Sequence, residues 1–343
     1  MYSESDIDTA VAAGVLSPAA ATAFRNHVAA SRATPAVDEE HFRLLTGFND
    51  IFVSIAIMLL LLAVAQLGSS VADWGGGLLV AAVAWGLALY FTARRRMALP
   101  SILLLLAFVG GVGMMMGGVV TMLFPGMDDR GTAVAGAGVA ALCAGAAWLH
   151  WRRFMVPVTV AAGAAALVAL ALALLLAAIP GATAALWPLM LVGGVAVFAY
   201  AMRWDLSDRE RQTRRADVAF WLHLAAAPLI AHPTFQMLGV FGREIGLGTA
   251  LVVLLLYGAF AIVALAVDRR ALLVSGLAYV LYAMFALIRS AGSGTVELSW
   301  AVTGVAIGSA LLTLSAFWQP MRRAVVARLG ALGQRLPPVQ LAV

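Results

Sequence analysis

Lysine is absent from this chain of 343 residues, so all 22 basic residues are arginine. That absence excludes a phosphate-binding loop of the GxxxxGK[ST] type and a Schiff-base enzyme, because both need a lysine side chain. Cysteine is almost absent too, since Cys143 is alone and lies inside an apolar run. One cysteine can form neither a disulfide within the chain nor a CxxC metal or redox pair. We therefore expect Cys143 to be a small packing residue.

Charged residues are also scarce, at 11% of the chain, whereas 63% is hydrophobic. A soluble protein of this length cannot cover its surface with so few polar side chains, which excludes a large soluble domain. The net charge of +5 would indicate nucleic acid as the partner of a soluble protein. Here the arginines stand in short loops beside apolar runs. We therefore expect them to contact anionic lipid headgroups, with no nucleic-acid partner.

Long apolar runs are what the chain does contain. Ten of them have the roughly 18 to 25 residues that a helix needs to cross a hydrocarbon core about 30 Å thick. The sequence therefore predicts an all-α polytopic membrane bundle of about ten transmembrane helices. The runs cover residues 50–67, 75–93, 99–124, 132–149, 155–179, 187–202, 217–240, 245–267, 271–288 and 299–317.

The distribution of arginine predicts the orientation of the bundle. Assigning successive loops to alternate sides places 19 arginines on the side of both termini and 3 on the other. By the positive-inside rule, both termini are predicted to be cytoplasmic. The basic loop residues expected to face lipid headgroups are Arg94, Arg95, Arg96, Arg152, Arg153, Arg214 and Arg215.

Four regions follow from these patterns. We predict a small cytoplasmic helical hairpin with a linker (1–37), an interfacial helix (38–49), a ten-helix transmembrane domain (50–318) and a short basic cytoplasmic tail (319–343). In the hairpin, Gly14 suits a helix C-terminus, and Ser17 followed by Pro18 suits the N-cap and first turn of a second helix. Two short helices bury too little apolar surface to be stable alone. We expect them to dock on the membrane domain or on a partner.

The segment VAAGVLSPAAATAF carries a resemblance to a known family. Its pattern G-x-[IL]-S-x-x-x-A, followed by many spans, resembles a bacterial family of predicted multi-pass membrane proteins of unknown function. The resemblance covers about the first 60 residues and implies no activity and no site residue. With the arginine distribution, it leads us to expect the bacterial inner (plasma) membrane as the location.

A dense charge cluster occupies residues 203–217. Asp205 with Arg209 and Glu210 with Arg214 are four residues apart, a spacing typical of a solvated helix that runs into the seventh span. Such a cluster is usually just a solvated face. The alternative is a docking site for an unknown protein partner, for which residues 1–30 are a second candidate.

The seventh span contains the candidate site. It holds His223 and His232, the only histidines inside the predicted spans, together with Pro228 and Pro233. Ionisable residues at this depth usually face a bundle interior or a wet cavity. Each proline removes a backbone hydrogen bond, so we expect a kink or break between residues 228 and 234.

Three roles remain open for these histidines: hydrogen bonding between helices, ligand or proton handling, and metal binding. Nine residues of helix rise about 13.5 Å and make two and a half turns, so the two side chains point to opposite faces of an unbroken helix. No third histidine or buried carboxylate in the predicted spans completes a metal site. Metal binding is therefore the least supported role, and we expect no cofactor.

We interpret two aspartates of an outer loop and the glycines of two spans as structural residues. Asp128 and Asp129 are expected to be turn residues. Glycines of the third and tenth spans predict close helix packing, including GxxxG pairs. They are Gly110, Gly111, Gly113, Gly117, Gly118, Gly304 and Gly308.

Two functions are compatible with the sequence. One is a small-molecule transporter of the proton-linked kind, and the other is a non-enzymatic membrane scaffold or interaction protein. An enzyme is disfavoured because no nucleophile or metal constellation is present. A polar cavity that reaches His223 and His232 would favour transport, whereas a closed, dry bundle would favour the interaction protein.

Overall fold

The computed structural model describes residues 4–31, 48–179, 181–209, 211, 213–240, 247–290 and 295–338. These residues form thirteen α-helices and two 3-10 turns, and no strand occurs among them. The predicted all-α polytopic bundle is confirmed. The helices are α1 (Glu4–Ala12), α2 (Pro18–Ser31), α3 (Phe48–Ser69), α4 (Gly75–Phe91), α5 (Ala98–Leu123), α6 (Asp129–Phe154), α7 (Val158–Ala178), α8 (Leu186–Ser207), α9 (Arg214–Met237), α10 (Leu247–Val267), α11 (Ala271–Ser290), α12 (Val296–Ala316) and α13 (Trp318–Arg328).

The first compact unit contains α1 and α2. Gly14 lies between them with a φ of +71°, the left-handed conformation that glycine adopts without strain. The Ser17 hydroxyl accepts a hydrogen bond from the backbone N–H of Ala20 at 3.1 Å, as an N-cap does. The predicted interfacial segment falls within residues 32–47, which lie outside the described residues.

The second unit begins at α3 and contains the apolar helices. Nine described helices are long and apolar enough to cross a membrane. The remaining expected span is α4, the second predicted span along the chain. Its 17 residues rise about 25 Å, which is at the short end of the membrane-spanning range. The sixth predicted span is longer than expected, because α8 continues past residue 202 to Ser207. This extension brings Asp205 inside the helix.

Short connections make successive membrane helices antiparallel neighbours. The turn between α6 and α7, for example, comprises only residues 155–157. The connections after α4, α6, α8, α10 and α12 therefore share one end of the bundle. Because they carry most of the loop arginines, we name this end the arginine-rich face. The cytoplasmic orientation of this face stays a prediction.

Helix α9 is the most enclosed span. Half of its most apolar stretch is buried inside the protein, against at most 28% for the other eight helices that are long and apolar enough to cross a membrane. Ala219, Ala226 and Ala227 let α7, α8 and α11 approach it closely, and Leu222 fills the space between α7 and α8. Residues on α9 therefore meet protein, not lipid, on most sides.

The prediction of close packing is right for Gly111, Gly113 and Gly118 of α5, but Gly110 and Gly117 of the same helix have nothing within 4 Å of an added Cβ. A Cβ added to Gly111 would lie 2.7 Å from the backbone nitrogen of Ala81, so α4 and α5 touch at backbone level there. Gly118 packs as closely against Trp74. Gly304 and Gly308 of α12 have nothing within 4 Å of an added Cβ, so the prediction is wrong for this GxxxG pair as far as the described residues show.

Candidate functional site

The turn between α10 and α11 consists of three charged residues, Asp268, Arg269 and Arg270. Asp268 has a φ of +58°, and the backbone N–H of Arg269 donates to the Ala264 carbonyl at 2.9 Å. This is the Schellman termination of a helix, with an aspartate at the position that glycine usually takes. The reversal lets Arg269 return into the bundle, where its exposed fraction is 2%.

Arg269 meets Asp205 of α8 and His223 of α9 in a buried triad. The guanidinium of Arg269 binds both carboxylate oxygens of Asp205, with Nε at 3.2 Å from Oδ2 and Nη2 on Oδ1. Nε2 of His223 also contacts this carboxylate, at 2.8 Å from Oδ2. Asp205 and His223 have no exposed surface. The opposite charges of Asp205 and Arg269 compensate each other, which burial of either one alone would not allow.

One of the two ring nitrogens of His223 does not take part in the triad. Nε2 faces the carboxylate, so a neutral imidazole places its hydrogen there and its lone pair on Nδ1. Nδ1 is buried and has no hydrogen-bond partner among the described residues. The Phe198 ring packs edge-on against the imidazole, with centroids 5.1 Å apart. The triad therefore contains one proton-accepting atom that its own contacts do not use.

Asp268 organises a second group, the Asp268 cluster. Arg211 of the α8–α9 connection forms an ion pair with Asp268 Oδ2 at 3.0 Å. The indole Nε1–H of Trp318 donates to Oδ1 at 2.8 Å, and Arg322 Nε lies 3.5 Å from the same oxygen. Trp318 and Arg322 belong to α13. One carboxylate thus joins the α8–α9 connection, the α10–α11 turn and the C-terminal segment.

Two arginine side chains hold the last described residues by donating hydrogen bonds to their backbone carbonyls. Arg322 donates to the carbonyls of Pro337 at 2.7 Å and Pro338 at 3.1 Å. Arg209 donates to the carbonyls of Gln334 at 2.6 Å and Leu336 at 2.8 Å. The region predicted as a short basic tail therefore begins with a helix and packs onto the arginine-rich face.

The two histidines singled out by the sequence have different surroundings. His223 is in the buried triad, whereas Nδ1 of the half-buried His232 lies 2.7 Å from the Tyr279 hydroxyl of α11. The indole of Trp187 packs edge-on against His232 at 5.3 Å between centroids. These contacts are to different residues, in line with the opposite helix faces that the spacing predicted. Among the described residues, no group of three histidine, cysteine or acidic side chains could hold a metal ion.

The sequence predicted a kink or a break in the seventh span. The break is wrong, because α9 is helical from Arg214 to Met237 with Pro228 and Pro233 inside it, and the kink stays a prediction. Pro233 frees the Leu229 carbonyl, and Gly194 of α8 packs against that peptide group, with an added Cβ at 2.7 Å from its oxygen. Gly194 therefore packs closely against the carbonyl that Pro233 leaves without its helical hydrogen bond. The backbone carbonyl of Ile230 accepts a hydrogen bond from the hydroxyl of Thr234 at 2.7 Å.

The seven loop arginines expected at lipid headgroups are all exposed: Arg94, Arg95, Arg96, Arg152, Arg153, Arg214 and Arg215. The guanidinium of Arg152 lies 5.0 Å above the ring of Trp148, and Nε of Arg95 donates to the Tyr90 hydroxyl at 3.1 Å. Asp128 is the N-cap of α6, since its carboxylate accepts the Gly131 N–H at 2.7 Å. Contact of these arginines with lipid stays a prediction.

Sequence reasoning missed the acidic half of the site. It assigned Asp205 to a solvated loop helix with Arg209, whereas Asp205 lies in α8 and pairs with Arg269. A usable signal was the turn 268–270, because three charges in so short a connection between apolar runs must either face water or pair. His150 was missed too. It lies in α6, fully buried, with Nδ1 3.3 Å from the Thr159 hydroxyl.

Comparison of the chain with family models, curated proteins and solved structures yields no match in any of the three.

Proposed function

We propose that this protein is a non-enzymatic membrane component that docks a partner on the arginine-rich face of its C-terminal half. The Asp268 cluster carries the proposal, because it joins three segments that are distant in sequence. A surface that is held in one shape before binding loses less conformational freedom when a partner docks. Such a rigid face is suited to recognition.

The charge of this face indicates the chemistry of the partner. Arg211, Arg269 and Arg322 have their guanidinium groups engaged within the protein. Other arginines of the same segments remain exposed, namely Arg214, Arg323, Arg328 and Arg335. Charged groups across an interface are arranged with complementary potentials, so the partner presents an acidic surface.

The environment of the histidines also supports docking over transport. His223 has no exposed surface. Neither His223 nor His232 lines the apolar groove between α6, α7 and α8 or the smaller depression that contains Arg203 and Arg215. The full burial of His223 supports an interaction protein. Asp205 and Arg269 then have a structural role, which is to connect α8, α9 and the α10–α11 turn.

The docking proposal is tested by photo-crosslinking in native membranes. A photoreactive amino acid replaces Arg328 or Arg335 on the arginine-rich face, and Asp73 or Arg130 in the connections at the opposite end as controls. We expect one discrete adduct from the first pair only. Asp268→Ala should weaken it, because the three segments lose their common carboxylate, while Asp73→Ala should not. Adducts of equal yield from both ends, or none from either, would reject docking.

Proton-linked transport is a second candidate, favoured by one observation. Nδ1 of His223 is a buried, unpartnered nitrogen beside a carboxylate. Buried polar groups without partners are rare and are often functional. A proton taken up at Nδ1 would give the triad a net positive charge and so alter the balance that holds α8 and α9 together.

The transport candidate is tested with purified protein in liposomes that contain a pH-sensitive dye. A proton gradient is imposed with a panel of small solutes outside. Solute-dependent proton flux that His223→Gln abolishes and His232→Gln preserves would establish transport and displace the docking proposal. His223→Gln is informative because the glutamine amide can still donate to Asp205. Absence of flux across the panel would leave docking as the function.

A further inference from the structure

A long groove follows α7 between α6 and α8, with a volume of about 920 Å³. Residues of α7 line it from Thr159 to Leu175, which corresponds to about 24 Å of helical rise. The depth of one lipid leaflet is about half of the 30 Å hydrocarbon core. The groove is open, since Leu167 is 57% exposed and Val192 is 66% exposed. It is therefore long enough for a lipid acyl chain.

Small side chains create the groove. No charged residue lines it among the described residues, and alanines and glycines of all three helices form much of its wall. These residues are Ala144, Gly145, Gly163, Ala164, Gly193 and Ala196. Such a surface accepts either an alkyl chain or another helix. The end of the groove distinguishes between these occupants.

Aromatic and basic side chains gather at the arginine-rich end of the groove. Trp148 and Trp151 of α6 and Tyr200 and Trp204 of α8 line this end, and such residues prefer the level of lipid headgroups. A second depression of about 410 Å³ shares Tyr200 and Trp204 with the groove. It adds two exposed arginines, Arg203 and Arg215, together with Ser207. The apolar groove thus ends in a basic mouth.

The two arginines at this mouth are available to a ligand. Among the described residues, no carboxylate forms an ion pair with Arg203 or Arg215. Guanidinium groups present several donors in a fixed fork that matches phosphate. An anionic lipid places a phosphate at this level, whereas a transmembrane helix would need an acidic side chain there.

We infer that the groove binds one anionic phospholipid, with an acyl chain along α7 and the headgroup phosphate between Arg203 and Arg215. The lipid is recognised by two features that occur together, an apolar channel and a basic mouth, and so is distinguished from the surrounding bilayer. This site is separate from the Asp268 cluster and does not depend on partner docking.

The inference is tested by native mass spectrometry of the full-length protein, titrated with phosphatidylglycerol or with phosphatidylcholine of the same acyl chains. We expect one phosphatidylglycerol to be retained about tenfold more tightly than phosphatidylcholine. Arg203→Gln with Arg215→Gln should remove this preference. Arg94→Gln with Arg96→Gln should retain it, because those exposed arginines lie in the α4–α5 connection.

A second variant tests the apolar channel independently of charge. Gly145 lines the groove, is exposed, and has nothing within 4 Å of an added Cβ, so Gly145→Leu projects into the channel without a clash. It should lower retention of both lipids. Gly258→Leu on α10 is the matched control, since Gly258 is equally exposed and unobstructed but lies outside the groove.

Three results would overturn the inference. Equal retention of the two lipids by the unaltered protein would remove the headgroup preference. Displacement of the lipid by inorganic phosphate alone would assign Arg203 and Arg215 to a free anion. A dimer that Gly145→Leu dissociates, with no retained lipid, would assign the groove to a second copy of this chain.

Discussion

Nε2 of His223 lies 2.8 Å from Oδ2 of Asp205, and neither side chain has any exposed surface. The two residues are 18 positions apart on antiparallel neighbours α8 and α9. Arg269, from the turn that follows α10, completes the charge balance. Burial of an ionised carboxylate in a membrane helix is costly unless an opposite charge compensates it. The triad therefore determines how the ends of α8 and α9 and the α10–α11 turn are placed at the arginine-rich face.

Asp205→Asn should destabilise the protein strongly, because Arg269 would remain buried without an opposite charge. Breaking a buried ion pair from one side costs about 3–5 kcal/mol. The free energy of unfolding, measured by denaturant titration in detergent micelles, checks this. Asp73→Asn is the control, as Asp73 is exposed. A loss for Asp205→Asn no larger than that of the control would contradict the structural role of the triad.

His232→Leu should cost stability because the hydrogen bond between His232 and the Tyr279 hydroxyl is lost. Hydrogen bonds between membrane helices contribute about 0.6 kcal/mol on average in double-mutant cycles. We expect a coupling of about this size between His232→Leu and Tyr279→Phe, measured by the same unfolding titration. Strictly additive single-variant effects would show that the 2.7 Å contact does not stabilise the bundle.

Gly110 and Gly111 are adjacent on α5 and should respond differently to leucine. An added Cβ at Gly111 lies 2.7 Å from Ala81 N and 2.9 Å from Gly77 O, whereas none of the neighbouring atoms is within 4 Å at Gly110. Overpacking costs about 1–3 kcal/mol. Gly111→Leu should therefore lower the thermal unfolding temperature in detergent, and Gly110→Leu should leave it nearly unchanged. Equal shifts would mean that α4 and α5 do not pack at this point.

Topology reporters check the predicted orientation, which rests on the distribution of arginine. Fusions on the arginine-rich side should report the cytoplasm, and fusions at the other end should report the outside. Two or more contrary reporters would require a different arrangement of spans. The first set follows residues 96, 153, 215, 270 and 323, and the second follows residues 70, 129, 183, 243 and 294.

Local pattern was sufficient for much of the fold. Apolar runs predicted the helices and, to within a few residues, most of their ends, because spanning a membrane requires about 20 apolar residues in succession. The helix-start signal of Ser17 and Pro18 was equally local. The end of α8 was missed, since Asp205 reads as a loop residue unless its buried partners are known.

The sequence by itself determined that this is an all-helical membrane protein, because backbone groups in a hydrocarbon core must be satisfied within each segment. It also identified His223 and His232 as unusual. Only the tertiary structure decided what they contact. Asp205 meets Arg269 across 64 residues, Arg211 meets Asp268 across 57, and Arg209 meets Gln334 across 125. Partners so distant leave no periodic trace in the chain, since their pairing depends on which helices pack side by side.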